Sequence, residues 1–262
     1  MRFVSLCALL SSAFLFAQEH HEHAAGGLGV VNFPTSCAPA VQKQFTRALA
    51  LLHSFGYEEA RQAFKNVAAS DPRCAMAQWG VAMSWYHPIW APPTREELQQ
   101  GAAALERASA IPAGSAREKD FIRALALFYK DWQTTNHQAR ATAYEHAMAQ
   151  IHRSYPGDDE ATIFYALAIR GNLDQSDTTF TKQKEAAKLL NGVLPRNQRH
   201  PGVAHYLIHS YDYPALAELA LPAARAYAKI APDAPHALHM PSHIFTRLGL
   251  WGDSIQSNLA SA

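Results

Sequence analysis

Ser54-Phe55-Gly56-Tyr57-Glu58-Glu59-Ala60, followed by Phe64 and by Asp71-Pro72, reads as the second helix of an antiparallel pair. An aromatic residue precedes a small one by three, and a large apolar residue follows four later. Ala60 lets two helices approach closely, and Phe64 fills the seam between them. Asp71-Pro72 ends the helix, because proline lacks an N–H and biases its predecessor away from helical dihedrals. Upstream, Phe45, Leu49, Leu52 and His53 share one stripe of a helix that starts at Pro39. Downstream, Cys74-Ala75-Met76-Ala77-Gln78-Trp79-Gly80 opens a new helix with its own large–small pair, Trp79-Gly80.

The same alternation of helix and break continues to the end. After the Pro-rich turn His87-Pro88-Ile89-Trp90-Ala91-Pro92-Pro93, Thr94 with Glu97 three later predicts a capping box and a helix to about residue 110. Further helices are predicted over 116–132, 138–155, 159–171, 178–193, 201–212, 214–230, 235–248 and 251 to the end. Strand-like alternation is almost absent, so the expected fold class is all-α, built of antiparallel helix pairs. Residue 262 falls inside the second helix of a pair, and no polar capping helix follows. Either the chain is cut short there or its last face meets a partner.

Histidines repeat within this pattern. His205 and His209 lie four apart after Pro201, and His239 and His243 lie four apart after Pro235. The two copies are 34 residues apart. Four-residue spacing puts two imidazoles on one helix face, roughly 6 Å apart, where both can ligate one ion. Three-residue spacing does much the same and brings in His236. Asp212 is placed to be a carboxylate ligand or to orient an imidazole. Zinc, copper or iron suits such a donor set. Pro241 must kink the last of these helices or mark its true start, and either choice could turn His239 away from His243. The competing expectation is that these rings are packing residues, hydrogen-bonded to Tyr206, Tyr211, Ser210 or Ser242. Packing is the default for His53 and His87.

The period of 34 residues is the length of one tetratricopeptide unit. Tyr57, Ala60, Phe64 and Pro72 match the second half of that repeat, with Val67 where alanine is usual. The stretches 71–80, 205–212 and 236–245 resemble a family of exported bacterial tetratricopeptide repeat (TPR) proteins, and the resemblance covers nearly the whole chain beyond residue 17. It implies a TPR-like, right-handed α-solenoid over 39–262 and export, but no chemistry. By fold-level analogy it also implies a peptide or protein partner on the concave surface. There the first helix of each pair lines the concave face. Neighbouring first helices pack roughly 10 Å apart, which would let His205, His209, His239 and His243 converge.

The remaining signals bound the function. Apolar residues make up 48% of the chain and the formal net charge is +1, so sequence-independent nucleic-acid binding is not expected. Residues 1–17 read as a signal peptide: Arg2, then a short apolar stretch too brief to span a membrane. No second long apolar segment follows, so the mature chain should be soluble and periplasmic or secreted. Residues 18–38 are expected to form a flexible leader containing His20, His21 and His23. Export leaves Cys37 and Cys74, which predict a disulfide in an oxidising compartment. Trp85 and Trp90 flank the Pro-rich turn and, with Tyr206 and Tyr211, are candidates to rim a partner groove. No nucleophile elbow, phosphate loop, His-Glu-x-x-His or Cys-x-x-Cys motif is present, so catalytic residues are not assigned. The leading expectation is an exported scaffold that binds a peptide or protein partner. The alternative is a metal-binding protein with hydrolase or redox activity.

Overall fold

The computed structural model describes residues 27–89, 91–112, 114–174 and 176–262. Residues 1–17, expected to be a signal peptide, and His20, His21, His23 and Trp90 lie outside the described residues. Among the described residues all regular structure is helical. Helix α1 spans Pro39–His53, α2 Tyr57–Ser70, α3 Ala75–Tyr86, α4 Arg95–Ala110, α5 Ala116–Tyr129 and α6 His137–Ser154. Then come α7 Asp159–Arg170, α8 Thr181–Val193, α9 Pro201–Tyr211 and α10 Ala217–Ile230. The last three are α11 Pro235–His239, α12 Pro241–Arg247 and α13 Trp251–Ser261. From α1 to α10 each helix packs on the next in the chain. Beyond these neighbours, α1 and α7 both reach α9, and α10 meets α12.

The local signals act as their chemistry requires. Ala60, Phe64 and Val67 are the buried residues of α2. The Phe64 ring lies 5.5 Å from that of Phe45 on α1. A Cβ at Gly80 would collide with the Phe64 ring, so this glycine sets the approach of α3 to α2. Thr94 with Glu97 and Ser115 with Glu118 form capping boxes at the starts of α4 and α5. Asn136 and Asp158 cap α6 and α7. Each such cap contributes about 1 kcal/mol by satisfying an N–H the helix leaves open. Among the described residues, no helix is long and apolar enough to cross a membrane.

The flexible leader expected through residue 38 needs correction where it is described. Leu28, Val31, Phe33 and Cys37 are buried. The N–H of Val30 donates to the Arg199 carbonyl at 2.9 Å, and the N–H of Asp233 donates to the Gly27 carbonyl at 2.9 Å. The Phe33 ring sits 5.7, 5.9 and 5.3 Å from those of Phe45, Trp79 and Phe121. Gly29 adopts φ 87, and a Cβ there would meet the Arg199 carbonyl. With Gly29 in a left-handed conformation and Pro34 in the chain, this run forms no helix and buries its side chains as a strap. Full burial of a large apolar side chain contributes roughly 1.5–3 kcal/mol. A disulfide between Cys37 and Cys74 ties the strap to the start of α3.

Candidate metal centre

Helix α9 begins with Pro201 in its first turn, a position where the missing N–H costs nothing, and carries His205 and His209 on one face. Helix α11 begins in the same way at Pro235 and carries His236 and His239. The two helices present their imidazoles to each other. His205 Nε2 lies 3.1 Å from His209 Nε2 and 3.1 Å from His236 Nε2. The three residues offer ligand atoms within 4.8 Å of one another. His239 and His243 form a separate pair, with Nε2 atoms 3.1 Å apart. The pair adjoins the triad, the rings of His236 and His239 being 6.2 Å apart.

The four repeat-equivalent histidines therefore do not meet at one point; His236 takes the third place beside His205 and His209. Nor does Pro241 separate His239 from His243. Met240 keeps helical dihedrals (φ -54, ψ -35), so the backbone runs from α11 into α12 without turning. Proline at the first position of α12 forfeits one hydrogen bond but not the helical path. Asp212 contacts His243 rather than the triad, its Oδ2 lying 2.9 Å from His243 Nδ1.

The protonation of His205 follows from its partners. Its Nδ1 lies 2.7 Å from the backbone carbonyl of His53. A carbonyl only accepts, so Nδ1 carries the proton. His205 is fully buried. Burial first, then neighbouring His209 and His236, holds its pKa well below the ordinary histidine value. The ring is thus neutral, and Nε2 presents one bare lone pair. Two imidazole Nε2 atoms face that one lone pair. It can accept a single well-directed hydrogen bond, whereas one cation between the three rings satisfies all of them. His209 is likewise held well below the ordinary value, by burial and then by Arg170. His236 is pushed down to about 4 by burial and by His239 and His243. Three neutral imidazoles fit a borderline metal ion.

A second layer supports the first. The His53 side chain lies between Tyr206 Oη, 3.0 Å from Nδ1, and Glu160 Oε2, 3.1 Å from Nε2. His200 Nε2 reaches the other Glu160 oxygen at 2.9 Å. All three acid–histidine partners are buried. Burial pushes the Glu160 carboxyl up, but His200 and His53 outweigh it and hold Glu160 well below the usual carboxylate range. Glu160 is therefore an ionised acceptor for both rings. Phe55, just after α1, sits at φ 56, a region where bulky residues rarely settle. From there its ring contacts His205, His209 and His236 at centroid distances of 4.3, 5.4 and 5.6 Å.

An open cleft of about 350 Å3, lined by Ser54, Phe55, Gly56, Glu59, Pro235 and His236, leads to the triad. Of the partner-groove candidates, Trp85, Tyr206 and Tyr211 are described, and they are not all at the surface. Tyr206 is fully buried against His53, because its ring completes the seam between α9 and α1. Tyr211 is half-buried and its hydroxyl accepts from Asn191. Trp85 is half-buried under the Arg61 guanidinium, 3.7 Å from its ring centroid. His87 pairs with Glu97 at 3.4 Å, remote in the chain from the triad. Glu160 and Phe55 carry no local signal of their role; their partners lie on distant stretches of sequence. No protein-family model matches the chain, and no curated protein matches it.

Proposed function

We propose that this chain is a transition-metal-binding protein whose ion is held by the Nε2 atoms of His205, His209 and His236. The observation that carries this reading is the convergence of two imidazole nitrogens on the single lone pair of a third, whose tautomer the His53 carbonyl fixes. An all-imidazole donor set suits zinc or copper, and iron less well without a carboxylate among the ligands. Three protein ligands leave a coordination position free, and the cleft beside His236 is where an exogenous ligand would enter. A bound ion would supply Lewis acidity at that position. Phe55 covers the rings and keeps the surroundings apolar, which strengthens each metal–nitrogen bond against water.

The reading extends to the whole chain. The recurring histidine spacing and the packing of each helix on the next support a TPR-like right-handed solenoid, and the short apolar run after Arg2 supports export with removal of residues 1–17. A second role, binding of a peptide or protein partner, is favoured by an open groove of about 700 Å3. Its lining includes Arg47, Glu58, Arg61, Lys65 and Trp85, a mixed-charge surface with one aromatic platform.

Metal analysis tests the main reading. The full chain, purified without an affinity histidine tag or chelator, is expected to hold near-stoichiometric zinc or copper. His209→Ala and His236→Ala should each lose the ion while helicity is kept. A chain that stays metal-free after incubation with zinc and copper salts overturns the proposal.

A further inference from the structure

Beside the triad, the pair His239 and His243 is oriented in a way that packing does not explain. His243 Nδ1 lies 2.9 Å from Asp212 Oδ2, and the Arg247 Nε–H donates to Asp212 Oδ1 at 3.0 Å. The Arg247 guanidinium, which always carries its charge, pairs with the Asp212 carboxylate. An ionised carboxylate only accepts, so His243 Nδ1 is protonated. His239 Nδ1 lies 2.8 Å from Asn258 Oδ1. The amide orientation is set independently, because Asn258 Nδ2 donates to the Ser254 carbonyl at 3.0 Å. The oxygen therefore faces His239, and His239 Nδ1 is protonated as well.

Both rings thus point a bare Nε2 inward, and those two nitrogens are 3.1 Å apart. Two lone pairs at that separation repel. Something positive must sit between or beside them: an extra proton, or a metal ion. Protonated Nδ1 atoms held by a carboxylate and an amide oxygen, with Nε2 left bare, are what outer partners impose on metal-bound histidines. The pair lines an open pocket of about 560 Å3 with Asp212, Ser242, Thr246 and Asn258, so water can complete a coordination shell.

We propose that His239 and His243 form a second site for a borderline divalent ion such as zinc, next to the triad, so that the protein binds two ions. The count of two rests on the triad reading; the pair site does not. The second ion has two protein ligands and solvent, so it binds more weakly than the first and exchanges readily. Its neighbour His236 belongs to the triad, which puts the two ions in one histidine array rather than at opposite ends of the fold.

The test is zinc binding by equilibrium dialysis and elemental analysis on the full chain, stripped of metal beforehand. All proteins carry His20→Ala, His21→Ala and His23→Ala, because three histidines within four residues can capture zinc on their own. The parent is expected to saturate at two equivalents, and His239→Ala and His243→Ala at one. Asp212→Asn is expected to keep two while weakening the second by about 10–100-fold. Circular dichroism and Tm of the metal-free forms check that each variant folds. Saturation of the parent at one equivalent, unchanged in His239→Ala and His243→Ala, overturns the second site and leaves the triad standing. One equivalent lost by the pair variants but kept by His205→Ala supports the pair and removes the triad. Zero equivalents removes both.

Discussion

His205 Nδ1 donates to the backbone carbonyl of His53 at 2.7 Å, so a residue on α9 takes its tautomer from the last turn of α1. The same His53 turns its side chain to Glu160 on α7. One residue therefore connects the buried Glu160 carboxylate to the His205 ring on another helix. The outer layer and the triad are a single structure, and disturbing either is expected to be felt by the other.

Gly202 offers a direct way to disturb that link. A Cβ at this position would lie 2.7 Å from His53 Nδ1 and 3.2 Å from His200 Cε1. Gly202→Ala must therefore displace His53 and, with it, the carbonyl that His205 uses. Overpacking of this kind costs roughly 1–3 kcal/mol. The expected result is a lower Tm together with weaker metal binding, read by thermal melts and zinc titration. A stable protein with unaltered zinc affinity would show that the His53 carbonyl does not hold His205 in place.

Glu160 is the acceptor for two buried imidazoles, and His200 Nδ1 already has no hydrogen-bond partner. Glu160→Ala leaves both Nε2–H groups facing a cavity. Removing one member of such a buried network costs about 3–5 kcal/mol. Glu160→Gln keeps one acceptor oxygen but turns a donor toward the other ring, so it should fall between the two. Denaturant melts of the three proteins should rank native above glutamine above alanine. Equal midpoints for glutamine and alanine would mean that only the charged, doubly accepting carboxylate stabilises the network, and that the side-chain volume and the single acceptor kept by glutamine do not.

Much of this arrangement was legible along the chain, and the limits have a physical cause. The seam of Ala60 and Phe64, the capping box at Thr94 and the proline starts at Pro201 and Pro235 are local devices, and the helices follow them. The His205–His209 spacing likewise reports a shared helix face. Which third ligand joins depends on how α11 docks on α9, and periodicity says nothing about docking; hence His236 stands where the repeat suggested His239 or His243. His53 reaches Glu160 across 107 residues and Tyr206 across 153. In the sequence Phe55 belongs to a stretch that reads as helical, yet its left-handed backbone aims its ring at the triad. The strap at 28–33 was missed because burial without a helix leaves no period to detect.

The disulfide stabilises the strap as well as α3. Cys37 and Cys74 close a loop across 37 residues, and such a crosslink contributes about 2–4 kcal/mol, chiefly by restricting the unfolded chain. Paired Cys37→Ser and Cys74→Ser, or reduction of the native chain, should lower Tm by several degrees. The strap should loosen first, because the buried Phe33 lies only four residues before Cys37. Hydrogen exchange at the Val30 amide, which bonds to the Arg199 carbonyl, should accelerate before that of α9 itself. Uniform acceleration across both would show that the strap and helices open as one unit.

Glu118 predicts how the fold responds to acid. Its carboxylate accepts from the Ser36 N–H and Oγ–H, both at 2.7 Å, and from Ser115 at the start of α5. Burial pushes the carboxyl up, but these donors outweigh it, so the folded pKa lies below the ordinary glutamate value. A group with a depressed folded pKa contributes stability that is present above its unfolded pKa and disappears as pH falls through the folded one. Stability should therefore fall as pH drops below the ordinary carboxyl range, with the strap at Ser36 released from α5. Glu118→Gln should be less stable near neutrality and flatter with pH, so the two curves converge in acid. Parallel curves for Glu118→Gln and the native chain would assign the acid sensitivity to other carboxylates.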